Sequence, residues 1–424
     1  MQHLLEHLET HQFPAKVIQL SHGLTVIHQY LPATPVVVAD IWVRAGASAE
    51  PPEWSGMAHF LEHMIFKGTK HLPPGIFDRL VEHSGGMANA ATSHDYAHFF
   101  LTTAAPYLSK TLPYLAEILL NAGIPDEDFY LEREVVLEEL RASYDDPDWL
   151  GFQSLCETMY QCHPYGRPIL GRQVQLLAHT PNQMRCFHRT HYQPENMTVA
   201  LVGGIKEDAA FKLIEDSFSD FNVPSECPPN MVEAEPPPIG VRRTQIYLPR
   251  IEQARLVMGW IGPGVEQLEE AFGLDLISVI LAGSLSSRLV RELQEEKHLV
   301  FHIESMFSLQ RDSSLFTIAA WLETQQLEQV EQTICDRLAQ FQAIPPSEAE
   351  LQRAQRILIN DYTFSTETPG QLAGLYGYYQ TIATAKMSAI YPIAIARFQP
   401  VELQQIATRY LSPLRYAITV MQPC

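Results

Sequence analysis

A run of apolar residues from Val36 to Val43, within PVVVADIWVRAGASAE, is strongly strand-like. Its length and its β-branched residues predict a buried strand followed by a turn. In the next segment, WSGMAHFLEHMIF, apolar residues cover most of a helical surface. We therefore expect a strand, a turn and a largely buried helix, in that order.

The second half of the chain repeats this layout. ARLVMGWIGPGVEQ predicts a strand and a turn, and EEAFGLDLISVILAG predicts a helix. The two halves also end alike, with THYQPENMTVALVGG in the first and TRYLSPLRYAITVMQ in the second. Each segment predicts a helix that ends near an aromatic residue, then a proline, then a strand rich in β-branched residues. Two matches in the same order indicate a duplicated unit. Amphipathic stretches between them, such as PYLSKTLPYLAEILLNAG and TQQLEQVEQTICDRLAQF, predict helices. Helices mixed irregularly with strands predict an α+β fold with mixed or antiparallel sheets.

A proline-rich segment at residues 222–240 separates the halves. Its six prolines cannot continue a helix or a central strand, and 424 residues are too many for one ordinary core. We predict an N-terminal α+β domain at residues 1–221, a linker at 222–240 and a related C-terminal domain at 241–424.

The composition excludes several classes of function. A net charge of −20 argues against a nucleic acid partner, since phosphate would be repelled; the charge suits basic peptides, although solubility explains it as well. The chain has no run of 18 apolar residues, so no membrane span is expected. The beginning, MQHLLEHLETHQFPAKV, is unlike a secretory signal, so we expect a cytoplasmic location. Six cysteines without CxxC spacing are expected to be free thiols.

The pattern HxxEH occurs twice, at residues 3–7 and at residues 59–63. Histidines four apart share a helix face and can bind one metal ion, while the glutamate can reach a metal-bound water. The first copy lies at the terminus without a preceding strand. The second follows the predicted strand and sits among apolar residues, where burial needs a compensating partner. We therefore assign the metal to His59 and His63, with Glu62 as the base.

A zinc site needs a third protein ligand. The segment DEDFYLEREVVLEELRASYDDP predicts a helix with Asp126 or Glu127 in its first turn, which ends at Asp145-Asp146-Pro147. Glu132 and Glu139 lie two turns apart and share a face, to which we also assign Val135 and Val136. Carboxylates on an apolar face are unusual. Glu139 is therefore the expected third ligand, and Glu132 is expected to orient a ligand histidine or the water.

The segments HFLEHMIFKGT, ANAAT, EREVVLEEL and HPYGRPILG together resemble the pitrilysin family of zinc peptidases (inverzincins), and within it the mitochondrial processing peptidase β subunit and its bacterial relatives. The resemblance implies two related α+β domains, Zn²⁺ held by His59, His63 and Glu139, and Glu62 as the general base. The supporting glutamate of the family falls on Glu132.

The resemblance also implies how a peptide substrate binds. The ANAAT stretch matches the edge strand that pairs with the substrate backbone, here Met87 to Ala91. Asn89 and Ala90 are the expected substrate-binding residues, although Asn89 could instead cap its own turn. In the second half, the helix that corresponds to HFLEH has no histidine, so one metal ion per chain is expected.

One segment departs from the family. Active members carry an arginine and a tyrosine that hold the substrate carbonyl, and SSRLVRELQEEKHLVFHI has Gln294 and Phe301 at those positions. Donors aimed at developing negative charge contribute roughly 10²–10³ in rate each. The sequence therefore predicts a chain whose activity alone is doubtful.

Three interpretations stay open at this point. A second family member could supply the arginine and tyrosine in a heterodimer. Nearby residues could replace them in a monomer or homodimer, and the candidates are His298, His302, Arg288 and Arg291. Alternatively, the chain could be a non-catalytic or weakly active zinc-binding assembly subunit, related to the core proteins of respiratory complexes.

Overall fold

The computed structural model describes residues 13–228 and 232–424. The HxxEH copy at residues 3–7 lies outside the described residues. The strands of the first half are β1 Lys16–Gln19, β2 Thr25–Tyr30, β3 Val36–Val43, β4 Met87–Thr92, β5 Ala97–Ala104 and β6 Met197–Gly203. Those of the second half are β7 Val241–Tyr247, β8 Ala254–Pro263, β9 His302–Leu309, β10 Ser313–Leu322 and β11 Tyr416–Gln422.

Helices connect these strands. In the first half they are α1 Met57–Ile65, α2 Ile76–His83, α3 Ala105–Leu120, α4 Asp126–Asp145, α5 Pro147–Met159, α6 Gln173–Ala178, α7 Pro181–His191 and α8 Glu207–Ser217. In the second half they are α9 Leu268–Ala282, α10 Leu327–Ala343, α11 Glu348–Phe364, α12 Pro369–Ile382, α13 Met387–Arg397 and α14 Pro400–Tyr410. Short 3₁₀ turns and a π-helical segment, Val290–Glu296, complete the chain.

The two sheets have the same topology, which confirms the predicted α+β fold and its internal repeat. The first sheet has the order β1-β2-β6-β3-β5-β4, and the second has the order β7-β11-β8-β10-β9. In both, one pair is parallel, β2 with β6 and β7 with β11, and the following pairs are antiparallel. Strand β1 is an addition to the first sheet.

Two helices cross from one half to the other. Helix α12 of the second half packs on β3 and β6 of the first sheet, and its Leu372 and Tyr376 lie in one apolar cluster with Val38 and Val202. Helix α5 of the first half packs on β8 and β11 of the second sheet, where Leu155 joins another cluster. Each sheet therefore depends on the other half for the cover of one face.

Close packing holds α12 against the first sheet. A Cβ atom on Gly377 would lie 2.0 Å from the indole nitrogen of Trp42, so only glycine fits at this crossing. The hydroxyl of Tyr376 donates a hydrogen bond to Gln29 Oε1 at 2.6 Å. The main apolar cores of the two halves lie on the opposite faces of the two sheets, beneath α1, α3 and α4 in the first half and beneath α9, α10 and α14 in the second.

The predicted linker has no regular secondary structure in its described parts, residues 222–228 and 232–240. The exact domain limits stay a prediction. Among the residues that the structure describes, no helix has the length and apolarity needed to cross a membrane.

Candidate metal centre

Helix α1 carries the HFLEH segment, and a buried carboxylate caps its beginning. Glu50 accepts hydrogen bonds from the backbone N–H groups of Gly56 at 2.9 Å and Ala58 at 2.7 Å. Gly56 has a φ of 88°, a left-handed conformation that favours glycine. Full burial of Glu50 raises its pKa to about 8, although the backbone donors and Arg167 oppose this rise. The cap fixes the position from which the two histidines project.

His59 and His63 lie one turn apart on α1, with ring centroids 4.8 Å apart. Helix α4 packs against α1 and brings Glu139 to both rings. His59 Nε2 lies 3.6 Å from Glu139 Oε1, and His63 Nε2 lies 3.4 Å from Glu139 Oε2. These three residues form the one group of metal-ligand type found in the described part of the chain, with ligand atoms all within 4.8 Å of one another.

The donor set fits a zinc ion. Two imidazoles and a carboxylate are a common catalytic zinc combination, with bonds of about 2.0–2.2 Å. Tetrahedral bonds of that length place neighbouring ligand atoms about 3.3 Å apart, close to the 3.4 Å and 3.6 Å found here. Burial lowers the pKa of His59 to about 4, which keeps its imidazole neutral, and the hydrogen bond from His63 lowers the pKa of Glu139. Neutral imidazole and ionised carboxylate are the forms that bind metal.

A second carboxylate on α4 orients one of the ligands. Glu132 is buried, and its Oε1 lies 3.0 Å from His63 Nδ1. Its other oxygen lies 2.5 Å from Lys67 Nζ. The pair with Nδ1 directs His63 Nε2 towards Glu139, the arrangement typical of carboxylate–histidine–metal sites. Lys67 offsets the charge of a carboxylate that would otherwise be buried beside Glu139.

Glu62 lies between the metal-ligand group and the edge strand β4. Thr92, the last residue of β4, donates a hydrogen bond from its hydroxyl to Glu62 Oε2. Burial raises the pKa of Glu62, and the bond from Thr92 opposes that rise. Glu62 is therefore a partly buried carboxylate, held next to the candidate metal ligands without being one of them.

Strand β4 lies at the end of the first sheet and pairs on one side with β5. Ala90 and Thr92 face the core side of the sheet, and Asn89 faces the other side and is exposed. The side-chain oxygen of Asn89 accepts a hydrogen bond from the backbone N–H of Ala90 at 2.9 Å. Ala90 therefore lies on the side of the metal-ligand group, and the side chain of Asn89 is bonded to the backbone of its neighbour.

The two valines beside Glu132 and Glu139 differ in burial. Val136 is fully buried, whereas Val135 is 49% exposed. The face of α4 that carries the two carboxylates is therefore only partly covered. The side chain of Glu139 is 44% exposed, which leaves one side of the metal-ligand group open.

The second half places its departing residues on the surface. Gln294 lies in the π-helical segment and bonds to Glu295, and Phe301 is 52% exposed just before β9. Among the candidate replacements, Arg288 forms a bidentate ion pair with Glu350, with N–O distances of 2.7 Å and 3.0 Å. The other three each have a single contact: Arg291 with Glu296 at 3.4 Å, His302 with Glu304 at 3.4 Å, and His298 with the Gln294 carbonyl at 3.0 Å.

Two sequence profiles match the chain. The profile described as Insulinase (Peptidase family M16) matches residues 25–173, and the profile described as Peptidase M16 inactive domain matches residues 178–358. Together they account for most of the chain. The chain belongs to peptidase family M16. This membership confirms the likeness to the pitrilysin family that the HFLEH and EREVVLEEL segments carry.

Relatives and solved structures agree with M16 membership. The chain is 27% identical over 410 residues to the zinc protease PqqE of Helicobacter pylori, covering 96% of this chain and 92% of that protein. A crystal structure of a protease from Helicobacter pylori superposes with a TM-score of 0.89 at 26% identity, covering 96% of this chain and 99% of that chain. The periplasmic protease PqqL of Escherichia coli shares the fold, with a TM-score of 0.79 at 19% identity; the match covers 97% of this chain and 48% of that one.

Three residues of the M16 site have roles that the sequence analysis did not assign. Glu50 caps α1, Lys67 pairs with Glu132, and Thr92 bonds to Glu62. The role of Thr92 could have been found from the alternation of side chains along β4, which puts Thr92 on the same side of the sheet as Ala90. No local pattern indicated the roles of Glu50 and Lys67, because their partners lie on other elements.

Proposed function

We propose that this chain is a zinc-dependent endopeptidase that cleaves peptides or presequences, and that it is the metal-binding subunit of a heterodimer. The observation that carries the proposal is the convergence of His59, His63 and Glu139 on one open site beside Glu62. The donor set of two imidazoles and one carboxylate implies the ion. The name of the relative PqqE, a zinc protease, supports the same metal.

Zinc bound there would lower the pKa of a coordinated water to about 7 and polarise the carbonyl of the scissile bond. The protein's own residues supply the rest. Glu62 takes the proton of the attacking water at its carboxylate and passes it to the leaving amine nitrogen. Thr92 holds that carboxylate in place, and Glu132 holds the ring of His63.

The peptide binds beside β4 as an added strand. The outer edge of this strand carries backbone groups that can pair with an extended peptide, which provides affinity with little demand on sequence. Ala90 has a small side chain on the side of the metal-ligand group and leaves room for the substrate. Asn89 faces the other side of the sheet and is exposed, where it can contact a peptide side chain that points away from the metal-ligand group.

A second chain completes the site. Gln294 and Phe301 stand where family members that act on peptides carry a cation and a hydroxyl donor, so we assign those groups to a related partner. The match to PqqL covers only 48% of that chain, which leaves room there for a second unit of similar size. A homodimer in which His298, His302 or Arg291 takes their place is the alternative arrangement. We expect the complex in the cytoplasm, which cell fractionation would test.

The deciding experiment changes the base and leaves the metal ligands intact. Glu62→Gln should retain one zinc ion per chain and lose peptide cleavage by at least 10²-fold, since general base catalysis contributes about 10²–10⁴. Glu138→Gln is the matched control, because Glu138 lies on α4 with its side chain 71% exposed and pairs with Arg141. Normal turnover by Glu62→Gln would refute the base assignment, and absence of zinc from the wild-type chain would refute the metal site.

A second candidate function is assembly without catalysis. It is favoured by the loss of both donors at Gln294 and Phe301 and by the match of residues 178–358 to the profile described as an inactive domain. The zinc-loaded chain should be incubated with a quenched peptide, alone and with a candidate partner that carries the arginine and tyrosine. Turnover only in the mixture supports the heterodimeric peptidase, turnover alone supports the homodimer or monomer, and turnover in neither supports assembly.

A further inference from the structure

Two cysteines that are distant in sequence lie side by side at the start of the linker. Cys186 on α7 and Cys227 in the linker are 41 residues apart, and their sulfur atoms are 3.7 Å apart. Both are partly exposed and both are free thiols. The distance is a van der Waals contact between sulfurs, whereas a disulfide has a bond of about 2.05 Å.

Backbone contacts already hold the linker in this position. The hydroxyl of Thr190 donates a hydrogen bond to the carbonyl of Ser225 at 2.6 Å, and the thiol of Cys186 lies 3.5 Å from the carbonyl of Glu226. One turn of α7 therefore contacts three successive linker residues, Ser225, Glu226 and Cys227. The hydrogen bond from Thr190 involves neither sulfur, so it holds the linker beside α7 whether the cysteines are reduced or oxidised.

We propose that Cys186 and Cys227 form a reversible redox pair whose disulfide fastens the linker to α7. The oxidant is a low-molecular-weight disulfide of the glutathione type. The thiolate of one cysteine attacks the small disulfide, breaks its S–S bond and releases one small thiol, which leaves a mixed disulfide. The second cysteine attacks the protein sulfur of that mixed disulfide and releases the other small thiol. Two protein thiols lose two protons and two electrons, and the small disulfide gains them.

The surroundings of the two cysteines determine how fast the thiol–disulfide exchange proceeds and what the disulfide would restrain. Burial raises the pKa of Cys227 to about 11, and the adjacent Cys186 adds to this rise, so the exchange should be slow at neutral pH and faster at alkaline pH. The linker also lines a cavity of about 930 Å³ between the two halves, together with Arg44 and Arg311. The disulfide would fix one wall of that cavity and restrain the chain that joins the halves.

The test uses the full chain with exposed Cys162 and Cys424 changed to serine. After treatment with oxidised glutathione, the thiols counted in denaturant should fall by two. A tryptic digest without reductant should contain residues 186–189 joined to residues 213–242, two hydrogen atoms lighter than the sum of the peptides. Dithiothreitol should restore both thiols. An unchanged thiol count, or glutathione adducts at both sites with no joined peptide, would overturn the proposal.

Single variants in the same background separate the pair from general reactivity. Cys186→Ser should leave a stable glutathione adduct on Cys227, and Cys227→Ser should leave one on Cys186, because the second attack is missing. Oxidation should raise the unfolding midpoint of the background chain by roughly 2–5 °C, since closing a loop of this length constrains the unfolded state. Oxidation should change the unfolding midpoint of either single variant by less than about 1 °C. A joined peptide that appears without any such rise in the midpoint would refute the fastening role.

Discussion

The hydroxyl of Thr92 donates a hydrogen bond to the carboxylate of Glu62, across the gap between β4 and α1. One end of the proposed substrate-binding strand is thus tied to the proposed general base. A peptide that adds to β4 would reach a carboxylate whose orientation that strand already fixes. The relationship joins binding and proton transfer through one side chain.

We expect Thr92→Val to lower kcat by about 10-fold and to change KM by less than 2-fold, because one hydrogen bond that positions the base is lost. Thr92→Ser keeps the hydroxyl and should recover most of the rate. Steady-state kinetics on a quenched peptide, with the partner present if one is needed, would measure both. A valine variant with the wild-type kcat would show that this hydrogen bond does not position the base.

Glu132 should control how tightly the metal is held. Glu132→Ala removes the partner of His63 Nδ1, and we expect zinc affinity to fall by about 10–100-fold, the usual effect of losing a residue that orients a ligand. Competition with a chelator would measure it. Glu138→Ala on the exposed side of the same helix is the control and should bind zinc as the wild type does. A Glu132→Ala variant with wild-type affinity would assign Glu132 to charge balance with Lys67 alone.

The close contact between Gly377 on α12 and Trp42 on β3 should make the stability of the protein sensitive to one added methyl group. Gly377→Ala would place Cβ 2.0 Å from the indole, and we expect a loss of about 1–3 kcal/mol in the free energy of unfolding. On the same helix, Gly374→Ala meets its nearest atom at 4.0 Å and should be neutral or slightly stabilising, because alanine favours helix. Denaturant unfolding of the two variants would compare them. Equal stability would mean that α12 shifts to accept the methyl group.

Asp275 lies on α9, in the second half of the chain. Burial raises its pKa from 3.8 to about 6, and Tyr391 donates a hydrogen bond to it. The folded state therefore holds this proton more tightly than the unfolded chain does. The stability that this group contributes is fully present below pH 3.8 and is lost as the pH rises through 6.

Asp275→Asn should remove that pH dependence. Relative to the wild type, the variant should gain up to about 3 kcal/mol between pH 4 and pH 8, since each pKa unit corresponds to about 1.4 kcal/mol. Unfolding of both proteins across this range would test it, because other ionisable groups cancel in the difference. A difference that stays constant with pH would mean that Asp275 is ionised throughout.

Local patterns predicted local structure well. Strand β3 has the predicted limits, Val36 and Val43, because a run of apolar β-branched residues bounded by turn residues has few alternatives. Helix α4 begins at Asp126 and ends at Asp145, where acidic residues start it and Pro147 follows its end. Periodicity also put Glu132 and Glu139 on one face, and the structure brings both to His63.

Contacts between segments that lie far apart along the chain could not be predicted from the sequence. An amphipathic pattern shows that α12 buries one face, but it does not show that the face lies on the sheet of the other half. The same holds for the pair of Lys67 with Glu132 and for Cys186 with Cys227, since nothing in their spacing marks them as neighbours. The exposure of Val135 beside the buried Val136 could not be predicted either, because two adjacent valines give no local signal for which of them is covered.

The exchange of α5 and α12 affects the order in which the protein can fold during synthesis. The last strand of the first sheet ends at Gly203, but the helix that covers its outer face begins only at Pro369. While the intervening residues leave the ribosome, the apolar side chains Val38 and Val202 have no cover of their own. This face of the first sheet can therefore be covered only when nearly the whole polypeptide has emerged.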